Sequence, residues 1–250
     1  MSQSGLTIVI PCLNEERTIA RAVSDGLSVL RECGVDGEVL VVDNGSRDAS
    51  HRLAEEAGAR VVRALRRGYG AALQAGFEEA RYAYVAMVDA DLSYPLKEIP
   101  RMLKALNEGH DFVLGNRLQG EIEPGAMPFL NRHLGTPVLS VLLRRLHKIP
   151  SRDCNSGLRM LRKSHVLAME LQCPGMEFAT EMLVRAAQMK LKYHEFPIPF
   201  YKDQRGRKSH LNRWQDGWRH LRLLVNAKTG SYRVAASAPH RSSQAVKQRI

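Results

Sequence analysis

The chain has 250 residues, 44% apolar and 25% charged, which is material for one large domain or two small ones. No apolar run approaches the ~18 residues that would cross a bilayer, and the N-terminus lacks the basic segment of a signal peptide. The net charge of +11 is unevenly placed: residues 201–250 hold 12 Lys+Arg against 2 Asp+Glu, so the first 200 residues are close to neutral. That asymmetry points to one anionic partner near the C-terminus: a phosphate, an acidic membrane or a nucleic acid. Cys12, Cys33, Cys154 and Cys173 are scattered and form no C-x-x-C, which argues against a zinc site or a disulfide framework and fits reduced cytosolic thiols.

Leu6 to Ile10 reads as a strand ended by Pro11, followed by Asn14, Glu15 and a helical pattern through Ile19, Val23 and Leu30. Glu38 to Val42 is a second strand, with Asp43-Asn44-Gly45-Ser46 just beyond it and Asp48 placed to cap a helix through Leu53 and Ala57. Ala59 to Val62 is a third strand. Arg66-Arg67-Gly68-Tyr69-Gly70 opens a small-residue helix, and the glycines read best as a permissive helix start, with the arginines keeping a phosphate role open. Next comes Tyr84–Tyr94, YVAMVDADLSY, a buried strand running into two aspartates. Side chains two apart on an extended backbone point the same way, so Asp89 and Asp91 are expected to face one point. Two carboxylates so placed suit Mg²⁺ or Mn²⁺, with substrate phosphates completing the shell; an Asp-rich turn is the plain alternative.

Ile99 to Leu106 follows as a helix and Phe112 to Leu114 as a strand, with Arg117 in GNRL. Gln119 to Pro128 has loop composition, and Phe129 to Leu146 is apolar and helical with interspersed arginines. Asp153 to Arg159 brings polar chemistry before another helix. Glu177 and Glu181 share a helix face, Glu195 to Pro199 is a proline-bounded strand, and Arg205 to His210 is a basic loop. Leu211, Trp214, Trp218, Leu221 and Val225 then recur at helical spacing beside Arg213, Arg219 and Arg222. This stripe fits a helix on an anionic membrane surface, or one on the core or a second subunit. Strands alternating with helices imply an α/β fold with a mostly parallel, Rossmann-like sheet. Ligands of such sheets bind beyond the carboxyl ends of the strands, where Pro11–Glu15, Asp43–Ser46 and Asp89–Asp91 all fall.

In this order, IVIPCLNEE, VVDNGSRD, RGYGAALQAGF, VDADLSYP, GNRL, DCNSGLRMLRKS, EFATEML, EFPIPFY and RGRKSHL resemble the inverting family 2 glycosyltransferases of GT-A fold. The resemblance covers Thr7 to about His220 and lies with the branch that makes polyprenyl (dolichyl-type) phosphate mannose or glucose. It implies that Pro11, Leu13, Glu15 and Asp43, with Ala90 grouped beside them, bind the nucleotide sugar. Asp89 and Asp91 would hold Mg²⁺ or Mn²⁺ on its diphosphate, and Arg117 and Arg205 would lie near donor or acceptor phosphate. The donor would be a GDP- or UDP-hexose and the acceptor a polyprenyl phosphate. The chain departs from relatives in having His210 where many carry Lys, and in not continuing into apolar spans. A peripheral, cytoplasmic position at the inner face of the membrane is therefore expected.

The implied organisation is a glycosyltransferase domain over residues 1–226, followed by a basic tail, 227–250, whose composition is that of a disordered segment. Residues 1–115 form the nucleotide-sugar half, 116–210 the acceptor half and 211–226 the amphipathic helix. Hydroxyl-directed relatives commonly carry an aspartate in the helix corresponding to Glu177–Glu181, where this chain has Ala179. A phosphate acceptor is already ionised and needs no base, so the gap favours a lipid phosphate. A hydroxyl acceptor with Glu177 or Glu181 as base is the alternative. A non-catalytic nucleotide or nucleic-acid binder is a second alternative, although no nucleic-acid motif is present and no nucleic-acid partner is expected. No oligomeric state follows from the sequence.

Overall fold

The computed structural model of the chain describes residues 3–206 and 213–229. Seven strands form one sheet: β1 (Gln3–Cys12), β2 (Gly37–Asp43), β3 (Arg60–Arg63), β4 (Tyr82–Met87), β5 (Phe112–Asn116), β6 (Arg159–Arg162) and β7 (Tyr193–Pro197), in the order β3-β2-β1-β4-β6-β5-β7. β-Branched and aliphatic residues alternate between two buried faces. Ile8, Ile10, Val39, Val41 and Ala86 face one side, and Val9, Leu40, Val42, Val85 and Met87 the other. A sheet apolar on both faces needs helices on both. α1 (Ile19–Cys33) and α4 (Ile99–Asn107) cover the first. α3 (Tyr69–Glu79), α5 (Thr136–His147), α7 (Phe178–Gln188) and α8 (Arg213–Thr229) lie over the second, with α2 (Ser50–Glu56) and α6 (Lys163–Ala168) completing the helices. The described cysteines are all free, with Cys12 and Cys154 buried.

The sheet departs from the sequence reading in three places. β1 continues through Pro11 to Cys12 and pairs Pro11 with Val42. The β4 ladder has already ended at Val9 paired with Met87, so the missing proline N–H leaves no gap on that side. β6 was not expected at all: Arg159–Arg162 inserts antiparallel between β4 and β5, in a polar-looking segment whose two arginines mask the strand pattern. Finally, β4 stops at Met87, so Asp89 and Asp91 lie in a turn that includes Leu92 at a φ of 64°. The alternation rule therefore does not orient these two aspartates; the turn does.

Asp48 accepts the Ser50 amide at 3.0 Å while the cap position itself is Ala49, so it supports the start of α2 from one residue earlier. Phe129 to Leu146 is helical as expected, entered through a π-helical turn at Asn131–Gly135. α8 runs to Thr229, three residues past the expected end of the domain at 226. Lys208, His210, Leu211 and residues 230–250 lie outside the described residues. α8 turns His220, Leu223 and Leu224 inward against α5 and α7, while Trp218 and Val225 of the expected stripe stay exposed. His220 Nδ1 meets Thr180 Oγ1 at 2.6 Å, and His147 Nε2 meets the Leu224 carbonyl at 3.1 Å.

The glycines at the start of α3 are required by closeness to a neighbour. A Cβ on Gly70 would lie 2.2 Å from the Cys173 carbonyl oxygen and 2.7 Å from Phe178 Cβ, both on the segment leading into α7. Gly70→Ala should therefore destabilise the protein by about 1–3 kcal/mol through forced separation of the two segments. Urea denaturation measures this, and a midpoint equal to wild type would show that the approach is looser than described.

Candidate functional site

Four loops meet beyond the carboxyl ends of β1, β2, β3 and β4, and short polar side chains lace the first three together. Asn14, at a φ of 57°, accepts the Arg47 amide at 2.8 Å, and its own amide donates to Ser46 Oγ at 3.0 Å. The Glu15 amide donates to Ser50 Oγ at 2.7 Å. Asn44 donates to the Arg66 carbonyl and accepts from the Gly68 amide, each at 2.8 Å, which pins the Arg-Arg-Gly loop to the end of β2. Asp43 Oδ1 accepts the Ser46 and Gly45 amides at 2.8 and 3.2 Å, and Oδ2 meets His51 Nδ1 at 3.3 Å. Burial pushes the Asp43 carboxyl up, but these hydrogen bonds outweigh it and hold it below its ordinary value. Asp43 thus shapes its own turn as well as facing the edge where the sequence placed a nucleotide.

Asp89 is partly buried and Asp91 buried. Tyr69, at the head of α3, donates its hydroxyl to Asp89 Oδ1 at 2.9 Å. Asp91 Oδ1 accepts the Ser93 amide at 3.0 Å and the Ser93 hydroxyl at 2.6 Å. Each carboxylate therefore commits Oδ1 to the protein. Asp89 Oδ2 lies against Gly157, where a Cβ would come within 2.5 Å of it. Burial, with the charge of Asp91 adding to it, pushes the Asp89 carboxyl up to about 6. Among the described residues no group of three His, Cys, Asp or Glu could hold a metal alone. Two carboxylates, each with its Oδ2 outside these hydrogen bonds, nonetheless suit a hard cation whose remaining ligands come from phosphate and water, provided Asp91 gives up the ion pair its Oδ2 makes with Arg205.

Arg205 reaches this pair from the far end of the chain. The Tyr201 amide donates to the Ser93 carbonyl at 3.0 Å and the Gln204 amide to the Asp91 carbonyl at 3.1 Å, fastening the segment along the aspartate turn. The guanidinium then lies 3.3 Å from Asp91 Oδ2 and 3.4 Å from Glu15 Oε1, and is held by Asp203. Beside it an open cleft of about 300 Å³ is lined by Asn14, Glu15, Arg17, Asp48 and Arg205 among others. The structure thus gathers Glu15, Asp91 and Arg205 directly. Pro11, near the end of β1, and Leu13, just after it, are half-buried beside the cleft, and Ala90 is buried between the aspartates.

Arg117 is in a different situation. Its Nε and Nη2 donate to Asp153 Oδ2 and Oδ1 at 2.8 and 2.7 Å, its own amide also donates to Oδ2 at 2.9 Å, and its guanidinium lies 5.0 Å from the centre of the Phe200 ring. Burial opposes its charge, but Asp153 overrides that and keeps it protonated. Arg117 acts on Asp89 through its field, since its charge helps lower that carboxyl, and its donors are engaged by Asp153. Glu181, one of two candidate bases, is fully buried and accepts the Gln172 and Cys173 amides at 2.8 Å each, so it clamps a loop. Glu177 keeps a buried Oε2 without a hydrogen-bond partner. The sequence reading missed Tyr69, Ser93, Asp153 and Gly157 as parts of this site. Tyr69, an aromatic between two glycines at a helix start, and the polar run Asp153 to Arg159 offered local signals.

Residues 7–167 match the profile of Glycosyl transferase family 2. The chain is 38% identical over 224 residues to the low-salt glycan biosynthesis hexosyltransferase Agl6 of Haloferax volcanii, covering 89% of this chain and 54% of that protein. The chain therefore spans about half the length of that relative. It is 31% identical over 201 residues to a dolichyl-phosphate hexose transferase of the same organism, covering 80% of this chain and 84% of that one. Among solved structures, glucosyl-3-phosphoglycerate synthase from Mycobacterium tuberculosis, in complex with Mn²⁺, uridine-diphosphate-glucose and phosphoglyceric acid, superposes with a TM-score of 0.71 at 23% identity. That alignment covers 91% of this chain and 80% of that one, and establishes the GT-A-like fold.

The raised Asp89 carboxyl has a measurable consequence. The folded protein holds a proton on Asp89 up to about pH 6, whereas an unfolded chain releases it near 3.8. The group therefore costs no stability below the unfolded value; the cost grows between pH 3.8 and about 6 and is fully present above that. Asp89→Asn should raise the melting temperature of the ligand-free protein at pH 7.5, and the gain should vanish as pH falls to 4. Thermal melts across this range test it; a gain independent of pH would place its cause elsewhere.

Proposed function

This chain belongs to glycosyl transferase family 2, and we propose that it transfers a hexose from a GDP- or UDP-sugar to a polyprenyl phosphate, with inversion. The observation that carries the reading is the pair of neighbouring carboxylates, Asp89 and Asp91, at the carboxyl edge of the sheet with Arg205 against Asp91. Asp89 Oδ2 and Asp91 Oδ2 would hold Mg²⁺ or Mn²⁺, and Asp43, Glu15, Pro11, Leu13 and Ala90 would receive the nucleoside. The bound cation would supply Lewis-acid stabilisation of the departing diphosphate. Arg205 would exchange its contact with Asp91 for donor or acceptor phosphate, adding positive charge where negative charge develops. Arg117 stays with Asp153 and contributes its field from behind.

The acceptor side supports a phosphate. The position where hydroxyl-directed relatives carry an acid is the buried Ala179, whose carbonyl receives Arg159 Nη1 at 2.5 Å. Glu181 is occupied by two loop amides. A phosphate nucleophile requires no base. The relative named for dolichyl phosphate, and others named for undecaprenyl phosphate, agree with such an acceptor. No helix among the described residues is long and apolar enough to cross a membrane. In this proposal the lipid is reached peripherally, at the cytoplasmic face. A hydroxyl acceptor is the second reading, favoured by the unpartnered Oε2 of Glu177.

Labelled UDP- and GDP-hexoses offered with a short polyprenyl phosphate test the proposal. Asp91→Asn keeps the acceptor for Ser93 and should melt close to wild type, yet lower kcat/KM by about 10²-fold or more. Glu177→Gln should leave transfer within a few-fold of wild type. Transfer to a hydroxyl compound, lost in Glu177→Gln, would replace the lipid-phosphate reading with the second one.

A further inference from the structure

α5 packs Leu143 into the core, but the helix and the turn before it also bury small polar side chains and leave large apolar ones outside. Thr136 and Ser140 are buried at 3% and 0% exposure, while Phe129, Leu130, Leu134 and Val138 are exposed at 74%, 58%, 58% and 46%. The inward polar residues have work to do. Ser140 Oγ accepts the Cys154 amide at 3.1 Å, and Thr136 Oγ1 accepts from Asn155 Nδ2 at 3.3 Å, so the helix holds the loop that carries Asp153. The apolar residues have no such employment. Four large exposed apolar side chains within ten positions form a patch of the kind that marks an interaction surface.

The charge around the patch selects the partner. Residues 124–152 contain five Lys or Arg and no Asp or Glu, with Arg132, Arg145 and Lys148 exposed. The neighbouring α8, fastened to α5 through His147 and Leu224, adds an exposed Trp218. Apolar side chains rimmed by cations fit the headgroup boundary of an anionic bilayer, which rewards both at once. A second copy of the chain would have to bring those cations against each other.

We propose that the outward face of residues 129–138 is a membrane-docking surface for anionic lipid, which holds α5, and through it the Asp153 loop, at the bilayer. The inference goes beyond the proposed transfer reaction and does not require it. The test is flotation of the full chain with vesicles of phosphatidylcholine and phosphatidylglycerol. Wild type should float, less so as salt rises and hardly at all with phosphatidylcholine alone. Leu134→Ser with Val138→Ser should weaken partition by about tenfold or more. Leu167→Ser, an exposed leucine on α6, should float as wild type does. If the double variant fails to melt cooperatively, Phe129→Ser with Leu130→Ser at the other end of the face carries the same expectation. Transfer to a short, water-soluble polyprenyl phosphate should be unchanged in the double variant, so failure of the acceptor reading would be seen separately. The proposal is overturned if wild type ignores anionic vesicles at low salt, if the folded variants float as well as wild type, or if light scattering shows a dimer that the same changes dissociate without any flotation.

Discussion

Burial and the neighbouring charge of Asp91 together push the Asp89 carboxyl up to about 6, and much of the surrounding structure is arranged around that unfavourable proximity. Tyr69 comes from the start of α3 to hydrogen-bond one oxygen, and α3 can start there because Gly68 and Gly70 allow it to lie against the segment entering α7. Gly157 leaves room for the other oxygen. Ser93 fixes Asp91 from within the turn, and Arg205 supplies the balancing charge from more than a hundred residues away. Two carboxylates held this close carry an electrostatic cost, which the cation of the proposed function would relieve.

Two buried arginines organise the other half of the molecule. Arg117 meets Asp153 with two parallel hydrogen bonds along one edge of its guanidinium, a geometry lysine could not reproduce. Arg159, the largest fully buried side chain, donates to the carbonyls of Ser156, Ala179 and Cys154 at 2.9, 2.5 and 2.8 Å. Burial lowers its tendency to hold a proton, and the three carbonyls answer the charge with backbone dipoles. Through these contacts one side chain ties β6, the loop after Asp153 and the first turn of α7 into a unit. The positions of Gly157 and of the Asp153 carboxylate both follow from that unit.

The same loop explains why α5 buries two polar residues beside Leu143. Cys154 and Asn155 need hydrogen-bond partners out of reach of water, and Thr136 and Ser140 provide them. Thr136 and Ser140 share the inward side with Leu143 while Val138 lies outward, so the interior chemistry of the site and the exposed patch are two sides of one helix. α8 shows the milder version, with Leu223 and Leu224 buried and Trp218 outside.

The sequence by itself determined the layers and the edge at which ligands meet the protein. Runs such as Thr7–Ile10, Val39–Val42 and Val85–Val88 are apolar on both faces, which only a covered parallel sheet satisfies, and polar residues directly after such runs must collect at one edge. Asp43, Asp89 and Asp91 were legible for that reason. The tertiary structure decided what local pattern could not express. β6 is a strand because β4 and β5 leave a place for one, despite Arg159 and Arg162. Arg117 became the partner of Asp153 and Glu181 a loop clamp because their neighbours are 36 and about nine residues away in sequence and face them only after folding. Periodicity reports how apolar a helix face is, and burial of that face depends on which neighbour it meets; in α5 the neighbour was a polar loop.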